Sequence, residues 1–367
     1  MQKYDFLLVG AGLFNATFAS IAHHRYGKKC AVIEMRDHIG GNIYTKKVEG
    51  IDVHWYGAHI FHTSNKIVWD YINTFGKFND FKNTPIAIVK GETYNLPFNM
   101  NLFSKVFGVT HPDQVKAIIE REKAEFKDKP IKNLEDQALS MVGRTIYETF
   151  IKGYTEKQWG KKCTELPPEI IKRLPLRFTY DNNYFNDTYQ GIPNDGYTSI
   201  IEKMLEGSDV FLNTPFESNH GITADKIIYT GMIDKFFDFI HGALEYRTLD
   251  FQHNIYDTDN HQGNAVFNYP SEYIPYTRSI EHKHFNYKPT EKTVVSFEFS
   301  SQFNHNDPKQ IPYYPIGNKR NKEIYAKYLE EAKKIPEIIF AGRLGEYKYY
   351  DMDDTIESAM KLVDKIL

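Results

Sequence analysis

Tyr4-Asp5-Phe6-Leu7-Leu8-Val9-Gly10-Ala11-Gly12 decides how the rest of the chain is read. The apolar run ending at Val9 has the length and composition of a strand buried in a parallel sheet, and it breaks at a pair of glycines. Gly10 and Gly12 fit the first two places of a G-x-G-x-x-G dinucleotide turn, where a side chain would block the tight bend and the approach of a pyrophosphate. Asn15 stands at the third place. Glycine there normally lets the helix lie close on the strand, so the tightness of that packing is in question. Ala16 to Ile21 still reads as a helix with small residues on one side. A second strand, Cys30 to Ile33, ends on Glu34, the place of an acid that accepts hydrogen bonds from the hydroxyls of an adenosine ribose.

Strand, glycine turn, helix, strand and terminal acid occur in order within one unit of the right length. Arg36-Asp37-His38-Ile39-Gly40-Gly41-Asn42 follows at once. This second glycine pair resembles the extension of flavoproteins of the glutathione-reductase and amine-oxidase type, where backbone passes close to the flavin side of the cofactor. FAD is therefore favoured over NAD.

The 367 residues allow two or three domains and a substantial core. A net charge of −3 with acids and bases intermixed argues against a nucleic-acid binder, so any anion site must be local. Tyr is abundant, and its flat face and hydroxyl suit sugar and base recognition. Cys30 and Cys163 suggest neither a disulfide framework nor a metal cluster, and a reducing compartment fits. His282 and His284, two apart, would share one face of a strand, but a third ligand at suitable spacing is absent. With no leader pattern or apolar span, the expectation is a cytoplasmic protein without membrane insertion.

Farther along, Asn65 to Phe75 reads as a helix with Ile67, Val68, Tyr71, Ile72 and Phe75 on one face. Short strands begin near Ile86 to Val89 and turn at Lys90-Gly91. Leu102 to Trp159 is mostly helical, with Asn133 as a helix start. Pro167, Pro168 and Pro175 prevent a long helix after Cys163, which suggests a mobile surface loop. Val210 to Leu212 and Lys226 to Tyr229 read as strands, the second belonging with the nucleotide domain. Leu244 to Ser300 alternates as an antiparallel sheet should, most clearly at Val294 to Phe299. Asn321 to Lys334 is a polar-faced helix, Ile338 to Phe340 a strand ending in a tight turn, and Asp354 to Leu367 an amphipathic helix. The expected fold class is α/β: a Rossmann-like FAD-binding domain with a helical insertion and a second, antiparallel-sheet domain. Residues 1–79, 192–241 and 318–367 form the first, 98–160 the helical part, and 80–97, 161–191 and 242–317 the substrate domain.

The longer words of the sequence resemble the prokaryotic UDP-galactopyranose mutase family over essentially the whole chain. They include Gly10-Ala11-Gly12-Leu13-Phe14, Tyr56-Gly57-Ala58-His59-Ile60-Phe61-His62-Thr63 and Lys152-Gly153-Tyr154-Thr155-Glu156-Lys157-Gln158-Trp159-Gly160. Asn95 to Asn99, Asp181 to Phe185, Tyr189 to Pro193, Pro275 to Arg278, Glu281 to His284 and Gly342-Arg343 through Met352 continue the match.

The resemblance implies an enzyme that interconverts UDP-galactopyranose and UDP-galactofuranose with reduced FAD. Flavin N5 attacks the anomeric carbon, UDP leaves, the covalent adduct opens and recloses through another hydroxyl, and UDP returns, with no net consumption of electrons. The furanose supplies cell-surface polysaccharide, and the family is usually dimeric. By the same resemblance, Arg173 and Arg278 bind the diphosphate and are catalytic, together with Asp351 and His59. FAD would be held by Gly10, Gly12, Leu13 and Phe14, by Glu34, Arg36, Gly41 and Asn42, by His59 and Ile60, and by Arg343, Tyr349, Asp351 and Met352. Tyr154, Thr155 and Trp159 would contact substrate, Phe150 and Tyr184 the base or nucleotide, Asn83, Tyr313 and Tyr349 the phosphates. Arg247 completes the implied substrate set. An amine-oxidase-like oxidoreductase, a mutase that also takes the N-acetylated sugar, and a catalytically silent nucleotide-sugar binder remain open.

Overall fold

The computed structural model describes residues 3–127, 129–172, 174, 176–217 and 221–367. The strand Lys3–Val9 lies at the centre of a five-stranded sheet with the order Ile338–Phe340, Thr223–Tyr229, Lys3–Val9, Cys30–Ile33, Asp209–Phe211. Every pairing in it is parallel, so its members come from stretches far apart in the chain. Leu7 and Leu8 are buried on opposite faces, as the continuous apolar run requires. The opening helix, Leu13–Tyr26, packs between this sheet and the closing helix Met352–Ile366, which turns Ile356, Ala359 and Val363 inward.

Asn15 does not loosen the first helix. Asn15, Ala16, Phe18 and Ala19 are all fully buried, and Asn15 Nδ2 donates to the carbonyls of Val9 and Gly10 at 2.9 Å each. The amide ties the strand end to the glycine turn, which a third glycine cannot do. Its Oδ1 has no hydrogen-bond partner among the described residues.

A seven-stranded sheet forms the second layer, ordered Tyr314–Pro315, Tyr246–Tyr256, Thr293–Gln302, Arg278–Glu281, Val266–Asn268, Ile86–Val89, Glu92–Asn95. It is antiparallel except where Val266–Asn268 runs parallel to Ile86–Val89. Its register sets Asn268 opposite Arg278, and Arg278 opposite Glu298, so the three lie on one rung across adjacent strands.

The helices Met100–Phe107, Pro112–Lys123, Leu134–Ile146 and Lys152–Trp159 bury a separate apolar core. Asn133 caps the third of them by accepting from Asp136 N–H at 2.9 Å. Gly143, at φ +77°, interrupts that helix, and a π turn at Tyr147–Ile151 leads into the next. Among the described residues after Cys163, the proline-bearing stretch forms short 3₁₀ turns, Cys163–Glu165 and Pro168–Ile170, with Leu166 and Ile171 inserted into the helical core.

Three local expectations change. Ile67 is 72 % exposed: the helix Lys66–Asn73 turns Val68 and Ile72 inward, and Ile67 lies just outside that stripe. His282–His284 is a 3₁₀ turn rather than a strand, so His282 points toward Ser296 and His284 toward Glu281. The turn after Phe340 is a short helix, Gly342–Gly345.

Candidate active site

The glycine turns make a cradle. Gly10 sits at φ +100°, and a Cβ there would lie 2.6 Å from Thr230 Oγ1. Gly41, at φ +54°, packs against Gly12 so closely that a Cβ on it would reach within 3.0 Å of Gly12 Cα. Buried Glu34 joins the two turns, with Oε2 accepting Ala11 N–H at 2.8 Å and Oε1 accepting Arg36 N–H at 3.0 Å. Each oxygen keeps a lone pair for a ribose hydroxyl. Arg36 donates Nη2 to Asn42 Oδ1 at 3.1 Å and lies 4.7 Å from the Tyr56 ring, while its Nη1 is buried without a partner among the described residues. Leu13 and Phe14 open a helix whose N-cap, Gly12, has no side chain to cap it and whose first turn holds no acid. Free N–H groups and the positive end of the dipole remain there for an anion. A cradle lined by backbone, an uncapped helix and an unpartnered guanidinium fit the pyrophosphate and ribose of a dinucleotide such as FAD.

His59 follows the Gly57 turn, and the next residue, Ile60, is buried in a cluster with Val266 and Ile280 of the second sheet. Its Nδ1 lies 2.7 Å from the Gly57 carbonyl, so Nδ1 carries the proton and Nε2 is left as an acceptor. Its peptide is held on both sides: N–H donates to His54 Nδ1 at 3.2 Å, and C=O accepts from Tyr197 O–H at 3.0 Å. Burial lowers the His59 pKa to about 4, the Gly57 carbonyl opposing, and the cations Arg343 and Arg278 lower it further. It is a neutral ring in the field of two guanidinium groups.

Arg278 reaches across its rung to Glu298, with Nε at 3.1 Å from both carboxylate oxygens and Nη2 at 2.5 Å from Oε2. Glu298 is fully buried and also accepts from Thr277 Oγ1 at 2.8 Å. Burial alone would lower the Arg278 pKa, but Glu298 overrides this and raises it, so the cation persists. Nη1 makes no contact to Glu298 and remains for a ligand. Tyr154, Tyr184 and Tyr314 share this field, and burial raises all three, leaving protonated hydroxyls able to donate. Tyr313 is likewise raised by burial and lies near Arg36 and Tyr56, toward the cradle.

The closing segment completes the wall. Arg343 donates to the carbonyls of Tyr313 at 3.3 Å and Tyr350 at 2.5 Å, and sits 5.0 Å from the Tyr349 ring. Tyr349 O–H donates to Asp351 Oδ1 at 3.1 Å. Asp351 is the N-cap of the closing helix, Met352 its first residue.

On the helical side, Thr155 and Phe150 are buried, and Trp159 and Tyr154 partly so. Phe150 packs in the helical core, 5.1 Å from Tyr94. Asn83 is buried; its carbonyl accepts Tyr184 N–H at 2.7 Å, and its Oδ1 has no partner among the described residues. Arg247 spends its donors on the end of the helix Lys152–Trp159: Nε to the Gln158 carbonyl at 2.8 Å, Nη2 to that of Lys157 at 3.2 Å and to Ser300 Oγ at 3.1 Å. Burial lowers its pKa to about 10. It holds the Trp159-Gly160 corner in place. Arg173 lies outside the described residues.

The structure thus brings His59, Tyr154, Tyr184, Arg278 and Arg343 into one electrostatic neighbourhood beside the cradle. Sequence reasoning missed Glu298, Tyr314 and Asn268, whose Oδ1 is also unpartnered among the described residues. One signal existed for Glu298: it shares a strand face with Ser296, between Phe297 and Phe299 on the other.

Residues 149–349 match the family model described as UDP-galactopyranose mutase, and residues 8–75 one described as an NAD(P)-binding Rossmann-like domain. A probable UDP-galactopyranose mutase of Klebsiella pneumoniae is 41 % identical, covering 100 % of this chain and 96 % of its own. A dTDP-fucopyranose mutase of Escherichia coli is 37 % identical, covering 97 % and 96 %. The fold resembles that of a crystallised reduced UDP-galactopyranose mutase, with a TM-score of 0.77 at 15 % identity over 100 % of this chain and 94 % of that one. It also resembles putrescine oxidase, with a TM-score of 0.60 at 12 % identity over 100 % and 99 %.

Proposed function

Because the chain belongs to the UDP-galactopyranose mutase family, we propose that it interconverts UDP-galactopyranose and UDP-galactofuranose with reduced FAD in the glycine cradle. The observation that carries this reading is the Arg278–Glu298 pair beside protonated tyrosines, facing the neutral His59 next to that cradle. Reduced FAD supplies, when bound, the nucleophilic N5 of the covalent route.

The chain's own residues do the rest. Arg278 offers a fixed positive charge and an open N–H edge to the diphosphate as it departs and returns. Its orientation is set beforehand by a fully buried carboxylate, so little reorganisation accompanies the chemistry. Tyr154, Tyr184 and Tyr314 donate to phosphate and sugar oxygens without becoming anionic, while Tyr349, whose proton goes to Asp351, orients that carboxylate. Asn83 and Asn268 present free amide oxygens to hydroxyls or a base. His59 Nε2 accepts from a sugar hydroxyl and adds no charge to a site already holding two arginines. Arg173 serves as the second diphosphate cation, and Asp351 closes the pocket on the sugar side. Apolar and aromatic walls exclude water from the opened sugar. The protein acts as a cytoplasmic homodimer that supplies furanose for cell-surface polysaccharide.

Similarity to the E. coli dTDP-fucopyranose mutase favours one second reading, a different nucleotide sugar on the same pocket. The test reduces the protein with dithionite and offers UDP-galactofuranose, UDP-N-acetylgalactofuranose and dTDP-fucofuranose in parallel, with products separated by anion-exchange chromatography. Conversion of the first to its pyranose, at a kcat/KM at least tenfold above the others and without oxidised product, supports the proposal. Preference for dTDP-fucofuranose, or a sugar product carrying a new carbonyl, contradicts it.

A further inference from the structure

Behind His59 runs a chain of hydrogen bonds that the proposed chemistry does not use. His59 N–H donates to His54 Nδ1 at 3.2 Å, and His54 N–H donates to His282 Nδ1 at 3.2 Å. His282 Nε2 lies 2.6 Å from Ser296 Oγ, which lies 2.6 Å from His253 Nδ1. His253 lies against the turn where the chain began, stacked 4.0 Å from Trp55 and hydrogen-bonded to the Trp55 backbone.

Proton counting gives this chain one direction. A neutral imidazole has one N–H, and Nδ1 of His54 and of His282 each receives a backbone N–H, so both rings carry their proton on Nε2. His282 Nε2–H must then donate to Ser296 Oγ. The single hydroxyl proton of Ser296 is left to donate to His253 Nδ1. Every step runs away from His59 and none conflicts with its neighbour.

Packing keeps the rings neutral. His54 is buried, stacked 4.7 Å from Phe285 and edge-on to Tyr197 at 5.4 Å. Burial pushes its pKa down to about 3, and that of His282 well below the usual value. The titratable or charged groups facing His59 are His54, Tyr197, Arg278 and Arg343, and those facing His253 are His282, Lys46 and Asp250. No carboxylate among these facing groups lies close enough to invite a proton onto His54 or His282.

We propose that His54, His282, Ser296 and His253 are positioning residues, a one-directional chain that locks the Gly57–His59 turn so that His59 keeps its proton on Nδ1 and presents a bare Nε2 to the reactants. The proposal rests on the mutase reading for what His59 faces. It does not rest on it for the tautomers, which belong to the protein alone. The Nδ1–H tautomer is the less common one for a free imidazole, so a fixed framework is needed to hold it.

Long-range ¹H–¹⁵N correlation on the FAD-loaded protein, labelled at histidine, reads each tautomer directly. Assignments come from single-site variants. The expected pattern is Nδ1–H for His59 and Nε2–H for His54 and His282, unchanged from pH 8 to pH 5.5. Ser296→Ala should shift the resonances of His253, His282 and His59 together and lower kcat roughly tenfold or more, with KM for UDP-galactofuranose within about twofold. Ser296→Thr, which keeps the hydroxyl, should restore both. His282→Asn retains an acceptor near Nδ1 and should perturb His59 less than His282→Gln. An Nε2–H His59 in the wild-type protein, or a His59 signal that Ser296→Ala leaves unmoved, overturns the proposal even if the enzyme is a mutase. The expected tautomers in a protein that performs no ring contraction leave the chain standing and refute only the mutase reading.

Discussion

The glycine cradle and the tyrosine-arginine pocket lie side by side yet are built in opposite ways. Gly10, Gly12, Glu34, Arg36 and Gly41 fall within about thirty residues of each other in the chain, and mostly backbone faces the ligand. His59, Tyr154, Arg278, Glu298, Tyr314 and Arg343 span most of the chain and meet only because the sheet register and the helical insertion bring them together. The cradle recognises by what is missing, since a Cβ would fill it. The pocket recognises by charge and hydroxyl groups already oriented. Substitutions in the first should therefore change cofactor affinity, and those in the second should change turnover.

The largest separation is expected from Arg278→Ala. Loss of one oriented donor to a departing diphosphate should reduce kcat by about 10² to 10³ while the flavin absorbance per chain stays unchanged. Because Glu298 is left buried and unpaired, stability should also fall by about 3 kcal/mol. Chemical denaturation checks that loss, and Arg278→Lys should recover part of the stability with little of the activity. If Arg278→Ala instead releases flavin at wild-type turnover per bound cofactor, the division between the regions is wrong.

Acid provides the next contrast. His54, His59 and His253 have pKa values lowered to about 3, 4 and 4 by burial, so the unfolded chain binds more protons than the folded one below its ordinary value of 6.5. Their contribution is fully present above that value and is lost as pH falls toward 4 to 3, at roughly 1.4 kcal/mol per pH unit for each group. Urea midpoints between pH 7.5 and 4.5 should drop steeply, and His253→Asn should flatten the slope. In the second glycine turn His38 is the one such group, lowered by burial with the Ile39 carbonyl opposing, so FAD affinity per folded molecule should change less than stability over the same range.

Gly41→Ala tests the cradle itself. A Cβ 3.0 Å from Gly12 Cα, at φ +54°, must displace backbone, and FAD affinity should fall by about tenfold with kcat at saturating FAD nearly intact. Asn15→Gly should have the smallest effect: loss of two buried amide hydrogen bonds and added chain entropy cost about 1 to 2 kcal/mol of stability, with FAD affinity within about threefold.

The same contrast explains what could be read from the sequence. The cradle was legible because its signals are local: an apolar run, two glycines, a helix and an acid at the end of the next strand. The sheet strands at Val210, Lys226 and Ile338 were also legible, although nothing local says that Thr223–Tyr229 lies beside Lys3–Val9. At Asn15 spacing reports only a missing glycine and leaves the packing in question, whereas whether an amide finds the Val9 and Gly10 carbonyls depends on three-dimensional geometry. His282 and His284 were placed on one face because period two assumes a strand, and a 3₁₀ turn rotates successive side chains by about a third of a circle. Arg278 is marked by family words, while for Glu298 the strand alternation marks only a face, and the pairing register is what sets it opposite Arg278. Phe150 and Arg247 show the converse: one packs in the helical core and the other closes a helix end, arrangements that residue type alone does not reveal.

The most direct measurement is the visible spectrum of the purified protein, recorded before and after addition of UDP. The account predicts flavin bands at one FAD per chain that UDP perturbs saturably, with the perturbation lost in Arg278→Ala while the bands remain. A colourless protein that takes up no FAD, or a bound flavin indifferent to UDP at any concentration, would contradict it.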